Sequence, residues 1–393
     1  PLEEPLHELQ EEDLPPVKII EAASTSSILT EKELKKLATI FNDSEKVLIL
    51  AGQQQVKPEL EKVLADFAEK SETVVLMEHL SNLNHPDFHG NVDVLMTSLL
   101  IEDINRFSPD LLITFGGTFV SKPLKQFLRR NNPQHHWHLT LSNQYYDTYQ
   151  SLTRIIEMEA LAFFKQLSPK INSKDDSFRL RWQHKEQQVK HVRNEFIQQA
   201  GFCDLSVFCK IMKGLPQNSV LHLGNSSPVR YALICDAAND VQYFGNRGTS
   251  GIDGSLSTAA GFASVSEKIN TIILGDLSFF YDSNALWNNY IGSNMRIIVI
   301  HNGGGNIFSM IKGPGDSPAF NKFFFTENNT SAAGIAQTFR MDYFRAENES
   351  EMETSLKQFY SAGQKKAALL EIFTNAELNA KTFKELFKKV KNI

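Results

Sequence analysis

The chain has 393 residues, of which 41% are hydrophobic and 22% are charged, and its formal net charge at pH 7 is -6. These values are typical of a globular protein with two or three domains that can bury large cores. The weakly acidic balance and the lack of a long Lys or Arg run argue against nucleic acid as a partner, and no apolar run reaches the length of a membrane span.

Residues 1–27 are polar and rich in Pro, and they begin PLEEPLHELQEEDLPP without an initiator Met. Clusters of Pro and charged residues without a hydrophobic period predict irregular structure. We interpret this segment as an inter-domain linker, and we therefore expect the chain to be a fragment of a longer protein.

Strand and helix patterns alternate over residues 28–170, which predicts a central α/β domain with a parallel sheet. Thr30 and Glu33 form a capping box ahead of an amphipathic helix. Pro58 stands where the first turn of the next helix should begin. The predicted strands of this domain cover residues 47–51, 74–77, 110–115 and 138–141.

Gly116 and Gly117 follow the third of these strands. They lack the GxGxxG pattern, so a dinucleotide site is only weakly indicated. Lys122 comes next, at the predicted start of a helix. Its ammonium group could meet an anion there, but an ordinary solvated lysine accounts for the same residue.

Three histidines lie close together in the sequence His135-His136-Trp137-His138. Consecutive side chains of a strand point to opposite faces, so only His136 and His138 could share a metal ion. No carboxylate or cysteine lies near them in the sequence, and we interpret both as structural residues.

The segment 171–203 is highly charged and has helical character over residues 177–199. Glu residues are interleaved with the basic ones, so the segment does not predict a nucleic-acid surface. We expect a solvated helix that links two domains.

A second α/β domain is predicted over residues 204–393, and both domains are expected to have three layers with a parallel sheet in the middle. Its last helix, residues 380–390, is Lys-rich and amphipathic, and we expect it to pack on the domain rather than to anchor a membrane. The predicted strands cover residues 220–223, 241–244, 271–274, 297–300 and 368–373.

The three cysteines are Cys203, Cys209 and Cys235, and no CxxC pair occurs. An odd count without paired spacing disfavours a disulfide framework and a zinc site. We therefore expect reduced cysteines and a cytoplasmic location.

Ser226 and Arg230 lie four residues apart where strand 220–223 leads into a helix. At such a helix start both side chains can face one anion, together with the free main-chain N–H groups. A capped helix with an exposed arginine accounts for the same pattern.

Four glycines occur within residues 245–254, directly after strand 241–244. Arg247 would lie among them at the mouth of the sheet, where a guanidinium group can bind a carboxylate through two hydrogen bonds. A flexible loop is the alternative, but the interspersed Arg, Ser and Asp residues favour a binding loop.

Asp276 follows one buried strand and Asn302 follows another. Ligands of open parallel sheets bind at the carboxyl ends of the strands. A carboxylate and an amide oxygen there suit Mg2+, which completes its octahedron with phosphate oxygens and water. A main-chain carbonyl near Gly304 could be a third ligand, because glycines let the backbone approach closely. The pattern indicates a Mg2+–diphosphate site, although two ordinary turns with polar ends would give the same sequence.

This region resembles the fingerprint of thiamine diphosphate enzymes, which reads GDG…NN. Here it reads GDL…HN, with 26 positions from Asp276 to Asn302 and with His301 in place of the first Asn. The phrases NRGTSGIDG and GDLSFFYDSNAL are similar to one family of these enzymes, the 2-succinyl-5-enolpyruvyl-6-hydroxy-3-cyclohexene-1-carboxylate synthases (the MenD family) of menaquinone biosynthesis. The resemblance is strongest over residues 221–311 and weaker elsewhere.

The resemblance implies a transferase with two α/β domains of the thiamine diphosphate enzyme type, a central domain and a diphosphate-binding domain. Its cofactors would be thiamine diphosphate and Mg2+ or Mn2+. It would decarboxylate 2-oxoglutarate and add the resulting carbanion to isochorismate. The intact protein would be a homodimer or homotetramer.

The resemblance also assigns residues. The metal ligands would be Asp276, Asn302 and Gly304, and the groups that bind substrate carboxylates would be Ser226, Arg230, Arg247 and Lys122, although Pro123 stands where some members have Arg. Ile252 would support the bent cofactor, and Ile307 and Phe308 would cover it. The cofactor-binding residues would be Gly251, Ile252, Asp276, Leu277, Ser278, Asn302, Ile307 and Phe308.

In this family the glutamate that activates the cofactor lies in an N-terminal domain and acts across a dimer interface. No residue of this chain matches it, so we predict that the chain alone is inactive or nearly so. Two other functions stay open: another thiamine diphosphate enzyme, of the acetolactate synthase or 2-oxo acid decarboxylase type, and a non-catalytic binding module. Ser226, Arg230 and Arg247 argue against the first, because small 2-oxo acids need fewer cations.

Overall fold

The computed structural model of the chain describes residues 28–142, 146–310, 313–361, 363 and 365–393. The segment 1–27, which we interpret as a linker, lies outside the described residues. Within the described part, the strands form two all-parallel sheets flanked by helices. The predicted α/β fold with two parallel-sheet domains is therefore confirmed.

The first unit contains five described strands and six described α-helices. They are β1 (Val47–Ala51), β2 (Val74–Met77), β3 (Leu111–Phe115), β4 (His135–Thr140) and β5 (Arg154–Glu157), with α1 (Glu31–Asp43), α2 (Pro58–Ser71), α3 (Val92–Thr97), α4 (Ile104–Phe107), α5 (Lys122–Arg130) and α6 (Ala160–Leu167). The strand order is β2-β1-β3-β4-β5. Leu48 and Leu50 of β1 join one hydrophobic core and Ile49 joins the other, because successive side chains of a strand point to opposite faces.

In the first unit, the residues that signal helix starts in the sequence lie where the helices begin in the structure. The capping box forms as predicted: Thr30 Oγ1 accepts the N–H of Glu33 at 3.3 Å, and the N–H of Thr30 donates to the Glu33 carboxylate at 3.2 Å. Pro58 is the first residue of α2. Strand β5 was not predicted, because it lies at the sheet edge and is buried at only one of its four residues.

The second unit contains six described strands and eight described α-helices. They are β6 (Ser219–Leu223), β7 (Val241–Phe244), β8 (Asn270–Gly275), β9 (Met295–His301), β10 (Asp342–Ala346) and β11 (Ala368–Phe373), with α8 (Asp204–Lys213), α9 (Ser227–Ile234), α10 (Ser255–Ala263), α11 (Asp276–Tyr281), α12 (Ile307–Met310), α13 (Ala333–Thr338), α14 (Glu349–Phe359) and α15 (Ala376–Val390). The strand order is β10-β11-β9-β8-β6-β7. Two edge strands, β7 and β10, flank four largely buried ones.

Helix α7 (Ser177–Gln199) lies between the two units and has the predicted bounds. The expectation of a solvated helix is wrong, because Phe178, Trp182 and Val189 are buried in a hydrophobic core that contains residues of both sheets. Arg193 is also buried, and its guanidinium group donates to the carbonyl of Ile234 and to the carboxylate of Asp236. The many charged residues of α7 hide this apolar face in the sequence.

The C-terminal helix α15 packs on the second unit, as predicted. Leu386 and Val390 are fully buried, and the helix contacts α7, α8 and α12. None of the helices in the described ranges combines the length and the apolar content that crossing a lipid bilayer requires.

Cys209 of α8 and Cys235, directly after α9, form a disulfide bond in the structure, and Cys203 is a buried free thiol. The expectation of no disulfide is therefore wrong. The two residues lie 26 positions apart, and their Cα atoms are 5.2 Å apart because α8 and α9 pack side by side. Sequence spacing does not reveal such a pairing, which depends on helix packing.

Candidate functional site

Asp276 and Asn302 lie at the carboxyl ends of two adjacent strands. Strands β8 and β9 pair in parallel, with Gly275 opposite Ile300, so the residues that follow them emerge at the same edge of the sheet. Both side chains are buried, and both line one cavity of about 180 Å³, together with Gly304. The structure thus brings together the three groups that the sequence indicates as metal ligands.

The carboxylate of Asp276 is held by main-chain and side-chain donors. The N–H of Leu277 donates to Oδ1 at 2.8 Å, and Nδ2 of Asn328 donates to Oδ2 at 3.3 Å. Burial raises the pKa of Asp276 to about 6, although these hydrogen bonds and the nearby His301 ring act in the opposite direction. A cation in the cavity would offset the cost of burying this charge.

The amide of Asn302 has a fixed orientation. Its Nδ2 donates to Oδ2 of Asp204 at 2.9 Å. Within the described residues no hydrogen bond reaches its Oδ1, which leaves that oxygen for a ligand. Asp204 also lines the cavity and was missed from the sequence, because a carboxylate in the first turn of a helix is common for electrostatic reasons alone.

The glycine turn after Asn302 is packed against another part of the chain. Gly304 has φ +142°, and a Cβ atom built there would lie 2.6 Å from the carbonyl oxygen of Thr326. The short π-helical segment Phe320–Phe325 ends directly at this contact. Glycine is therefore required at position 304 both for the backbone conformation and for space.

Asn306 lies at the end of this turn and lines the cavity. Its side chain is 1% exposed, and neither Nδ2 nor Oδ1 has a hydrogen-bond partner in the described part of the chain. A buried amide without partners is unfavourable by about 1–3 kcal/mol per group. A polar ligand or an ordered water in the cavity would supply the missing partners.

His301 replaces the first Asn of the fingerprint and does not line the cavity. Its Nδ1 lies 2.7 Å from the Glu371 carboxylate, and its Nε2 lies 3.2 Å from the carbonyl oxygen of Asn328. Burial alone would lower the pKa of His301, but the bonds to Glu371 and Asn328 and the charge of Asp276 raise it overall. Glu371 is fully buried and also accepts hydrogen bonds from Ser331 and Tyr343. His301 thus anchors the strand end beside the cavity.

The predicted cofactor-binding residues lie around this cavity, with one exception. Oγ of Ser278 donates to the carbonyl of Ile252 at 2.5 Å, and this hydrogen bond connects two segments of the chain that line the cavity. Gly251 is not part of the lining, and its carbonyl accepts Nδ2 of Asn225 at 2.7 Å. The predicted residues that line the cavity are Ile252, Asp276, Leu277, Ser278, Asn302, Ile307 and Phe308.

Ser226 lines the cavity, and the two predicted arginines lie beside it. Ser226 has φ +71°, a strained conformation of the kind found at functional sites. Nη1 of Arg230 donates to the Ser226 carbonyl at 2.6 Å, and Nη1 of Arg247 donates to the side-chain oxygen of Asn225. Burial lowers the pKa of both arginines, and the positive charge of Arg230 further lowers the pKa of Arg247.

Lys122 is exposed and is not part of the cavity lining. Lys125, one turn later on α5, is half-buried instead; burial lowers its pKa, and Glu78 and Arg247 are the charges that act on it most strongly. We refer to Lys125, Arg230 and Arg247 as the cation cluster. Sequence reasoning missed Lys125, because residues three apart on a helix are neighbours and the spacing does not show which of the two lysines the fold buries.

Two carboxylates of the first unit, the buried Glu78 and the partly buried Asp93, interact with the cation cluster. Glu78 accepts the N–H groups of Val120 and Ser121 at 2.7 and 2.8 Å, and burial raises its pKa to about 7. Burial also raises the pKa of Asp93, which interacts with Arg230. These carboxylates balance part of the positive charge that the cluster concentrates at the boundary between the two units.

The histidines of β4 form hydrogen bonds within the first unit. Nε2 of His136 lies 3.0 Å from Oγ1 of Thr114, and Nδ1 of His138 lies 2.9 Å from the same oxygen. Burial lowers the pKa of His136 to about 4, which keeps the ring neutral. Both histidines therefore have structural contacts that account for their presence.

The residues of the cavity fit a Mg2+–diphosphate group. A carboxylate, an amide oxygen and a main-chain carbonyl are the hard oxygen ligands that Mg2+ prefers. In the described ranges no three His, Cys, Asp or Glu side chains form a group that could hold a metal ion. The unpartnered amide of Asn306 and the open space beside Gly275 and Gly303 leave room for further oxygen groups. The cavity is smaller than the ~300–1,000 Å³ of whole-ligand pockets, which suits the diphosphate end of a larger molecule.

Comparisons with known proteins give a consistent family. The family model described as "Middle domain of thiamine pyrophosphate" matches residues 6–223. The chain is 39% identical over 402 residues to the 2-succinyl-5-enolpyruvyl-6-hydroxy-3-cyclohexene-1-carboxylate synthase of Flavobacterium johnsoniae, a match that covers 99% of this chain and 70% of that protein. It is 38% identical to the enzyme of the same name from Christiangramia forsetii, over 92% of this chain and 63% of that protein. It is 34% identical to that from Bacteroides thetaiotaomicron, over 100% of this chain and 69% of that protein.

Proposed function

The chain belongs to the 2-succinyl-5-enolpyruvyl-6-hydroxy-3-cyclohexene-1-carboxylate synthases, thiamine diphosphate-dependent transferases of menaquinone biosynthesis, and we propose that it binds this cofactor through Mg2+ at the carboxyl ends of β8 and β9. One observation carries the proposal: Asp276 and Asn302 follow adjacent strands and share one cavity. Mn2+, which accepts the same oxygen ligands, could replace Mg2+.

The walls of the cavity have distinct roles in this proposal. Asp276, the Oδ1 atom of Asn302 and the carbonyl of Gly304 hold the metal ion. The apolar side chains of Ile252 and Ile307 pack against the rings of the cofactor and exclude water. Thiamine diphosphate, when bound, supplies the carbanion chemistry by which a 2-oxo acid loses CO2 and adds to an acceptor.

The cation cluster is the proposed site for the carboxylates of 2-oxoglutarate and isochorismate. Both arginines can bind a carboxylate through two hydrogen bonds. Arg230 contacts Ser226 and Arg247 contacts Asn225, and both of the contacted residues line the cavity. Lys125 supplies a third positive charge from the first unit. Lys122 stays a prediction from the family resemblance. A substrate with several carboxylates fits this charge better than a small 2-oxo acid such as pyruvate does.

We also propose that this chain alone binds the cofactor without turning over substrates. In the described residues no glutamate lines the cavity, and the family activates its cofactor with a glutamate. Product formation from 2-oxoglutarate and isochorismate by the purified chain alone would contradict this proposal.

Assembly into a homodimer or homotetramer is part of the proposal. Tyr281, Trp287 and Tyr290 are 67–75% exposed within one short stretch of the second unit, and aromatic side chains are enriched at subunit interfaces. Light scattering coupled to size-exclusion chromatography would measure the assembly. A cytoplasmic location is proposed too, although the Cys209–Cys235 bond is of a kind that is rare in that compartment.

Calorimetry with thiamine diphosphate and Mg2+ tests the cofactor site. We expect binding that requires both components and that disappears in Asp276→Asn. A ligand present at 100 times its dissociation constant should raise the free energy of unfolding of the wild type by about 2.7 kcal/mol. The variant should not gain this stabilisation. Equal stabilisation of both proteins would refute the metal site.

An assay of the intact enzyme tests the substrates. We expect turnover with 2-oxoglutarate and isochorismate, and much slower turnover when pyruvate replaces 2-oxoglutarate. The reverse preference would favour an acetolactate synthase or a 2-oxo acid decarboxylase.

A further inference from the structure

We propose that Asp204 is a positioning residue of the metal site, which fixes the side-chain amide of Asn302 so that its oxygen, and not its NH2 group, faces the metal ion. This role goes beyond the proposed function and rests on it, since it assumes that Asn302 is a ligand. Asp204 itself acts through Asn302 and does not ligate the metal.

The contacts of Asp204 hold it from three directions. Oδ2 accepts Nδ2 of Asn302 at 2.9 Å, and Oδ1 accepts the hydroxyl of Thr374 at 2.6 Å. The main-chain N–H of Asp204 donates to Oδ1 of Asn379 at 2.8 Å. These partners lie after β9, after β11 and on α15, and the Asp204 side chain is fully buried. Its position is therefore set by the fold and does not depend on a ligand.

The chemistry of the contact makes the orientation of Asn302 unambiguous. The two ends of an amide have nearly the same shape, but only the oxygen can ligate a cation. A carboxylate accepts hydrogen bonds and donates none when ionised, so Asp204 can pair only with the NH2 end. The oxygen of Asn302 then points away from Asp204, and no donor in the described part of the chain takes it. The site is arranged for a cation before the cation arrives.

Asp204 also adds negative charge beside the cavity. It interacts with the buried carboxylate of Asp276, and two buried anions near each other repel. A divalent cation between Asp276 and Asn302 would relieve this repulsion. Residues that hydrogen-bond to metal ligands typically change metal affinity by about 10–100-fold when they are removed.

The test measures Mn2+ affinity by electron paramagnetic resonance in the full chain with saturating thiamine diphosphate. We expect Asp204→Asn to weaken Mn2+ binding about 10–100-fold. The matched control is Thr374→Val, which removes the other hydrogen bond of the Asp204 carboxylate without touching Asn302. It should lower thermal stability and leave Mn2+ affinity close to that of the wild type.

A reciprocal exchange separates positioning from a merely structural role. In the double variant Asp204→Asn/Asn302→Asp, the carboxylate becomes the ligand and the amide stands behind it, so the hydrogen bond is kept with its direction reversed. We expect this protein to bind Mn2+ more tightly than either single variant. An Asp204→Asn protein with wild-type affinity, or an exchange that recovers nothing, would overturn the inference alone. A wild-type chain that binds neither Mn2+ nor the cofactor would overturn the proposed function with it.

Discussion

The side-chain amide of Asn82 pairs with both main-chain polar groups of Tyr243. The N–H of Tyr243 donates to Oδ1 at 2.7 Å, and Nδ2 of Asn82 donates to the Tyr243 carbonyl at 2.9 Å. A side chain of the first unit thus takes the place of a neighbouring strand along β7, an edge strand of the second sheet. Gln53 adds a bond from its Nε2 to the carbonyl of Gly245 at 2.9 Å. The strand that leads to Arg247 is therefore fixed by the other unit.

Replacing Asn82 should weaken the contact between the units. Its φ of +54° favours Asn or Gly, so Asn82→Gly removes the side chain without straining the backbone. We expect the free energy of unfolding to fall by about 1–3 kcal/mol, because partly buried polar groups of β7 lose their partners. Urea denaturation measures the change. The control is Asn84→Gly, which removes only an exposed bond to Asn239 and should have a smaller effect.

A methyl group at position 304 should damage the site. Gly304→Ala places Cβ 2.6 Å from a main-chain oxygen at a φ that Ala rarely adopts, so we expect a loss of stability and of cofactor binding. Gly334→Ala is the matched control. That glycine lies in α13 with no atom near its Cβ position, and Ala should be neutral or stabilising by up to about 1 kcal/mol. Equal calorimetric titrations of both variants would contradict the packing described at Gly304.

Glu78 should make stability depend on pH. Its pKa is about 7 in the folded chain and about 4.5 in the unfolded one, so the folded state binds the proton more tightly. The stabilisation that the folded state gains from protonated Glu78 is fully present below pH 4.5 and is lost as the pH rises through 7. We expect Glu78→Gln to reduce the fall in the free energy of unfolding between about pH 5 and 7 by about 1–3 kcal/mol. Denaturation curves at several pH values measure this slope, and Glu69→Gln, at an exposed position, should follow the wild type.

Lys125 and Lys122 offer a direct comparison of the structure with the family resemblance. Lys125 joins the cation cluster, whereas Lys122 is exposed. In the intact enzyme we expect Lys125→Ala to raise the KM for 2-oxoglutarate about 10-fold, the equivalent of one lost charge-assisted hydrogen bond of about 1.4 kcal/mol. Lys122→Ala should change it little. A larger effect at Lys122 would place the substrate nearer the start of α5 than the cluster suggests.

The sequence predicted the sheet strands well where they are buried on both faces. β1, β2 and β11 have the predicted bounds, because short continuous apolar runs between turn residues are typical of buried strands. β5 and β10 were missed, since most of their residues are only partly buried and their sequences mix charged with apolar residues. Asp276 and Asn302 could be found because they follow such runs directly.

The rest of the site depends on contacts between distant segments. Asp204 reaches Asn302 across 98 positions, and Glu78 faces the cation cluster only because the two units dock. Lys125 was missed because both lysines belong to one helix, and only the packing of α5 in the fold shows that Lys125 is the half-buried one. No pattern of neighbouring residues in the sequence shows these long-range contacts. A strand end followed by a glycine turn, in contrast, can be recognised from neighbouring residues.

The burial of α7 bears on how the chain comes apart. Trp182 and Val189 belong to a core that also holds Leu48 of the first sheet and Leu221 of the second, so neither sheet can lose its packing while the other keeps it. Heat or denaturant should therefore melt both halves in one cooperative step. A destabilising substitution near β1 would therefore reduce the fraction of folded chains that can bind a ligand, as a substitution beside Asp276 would.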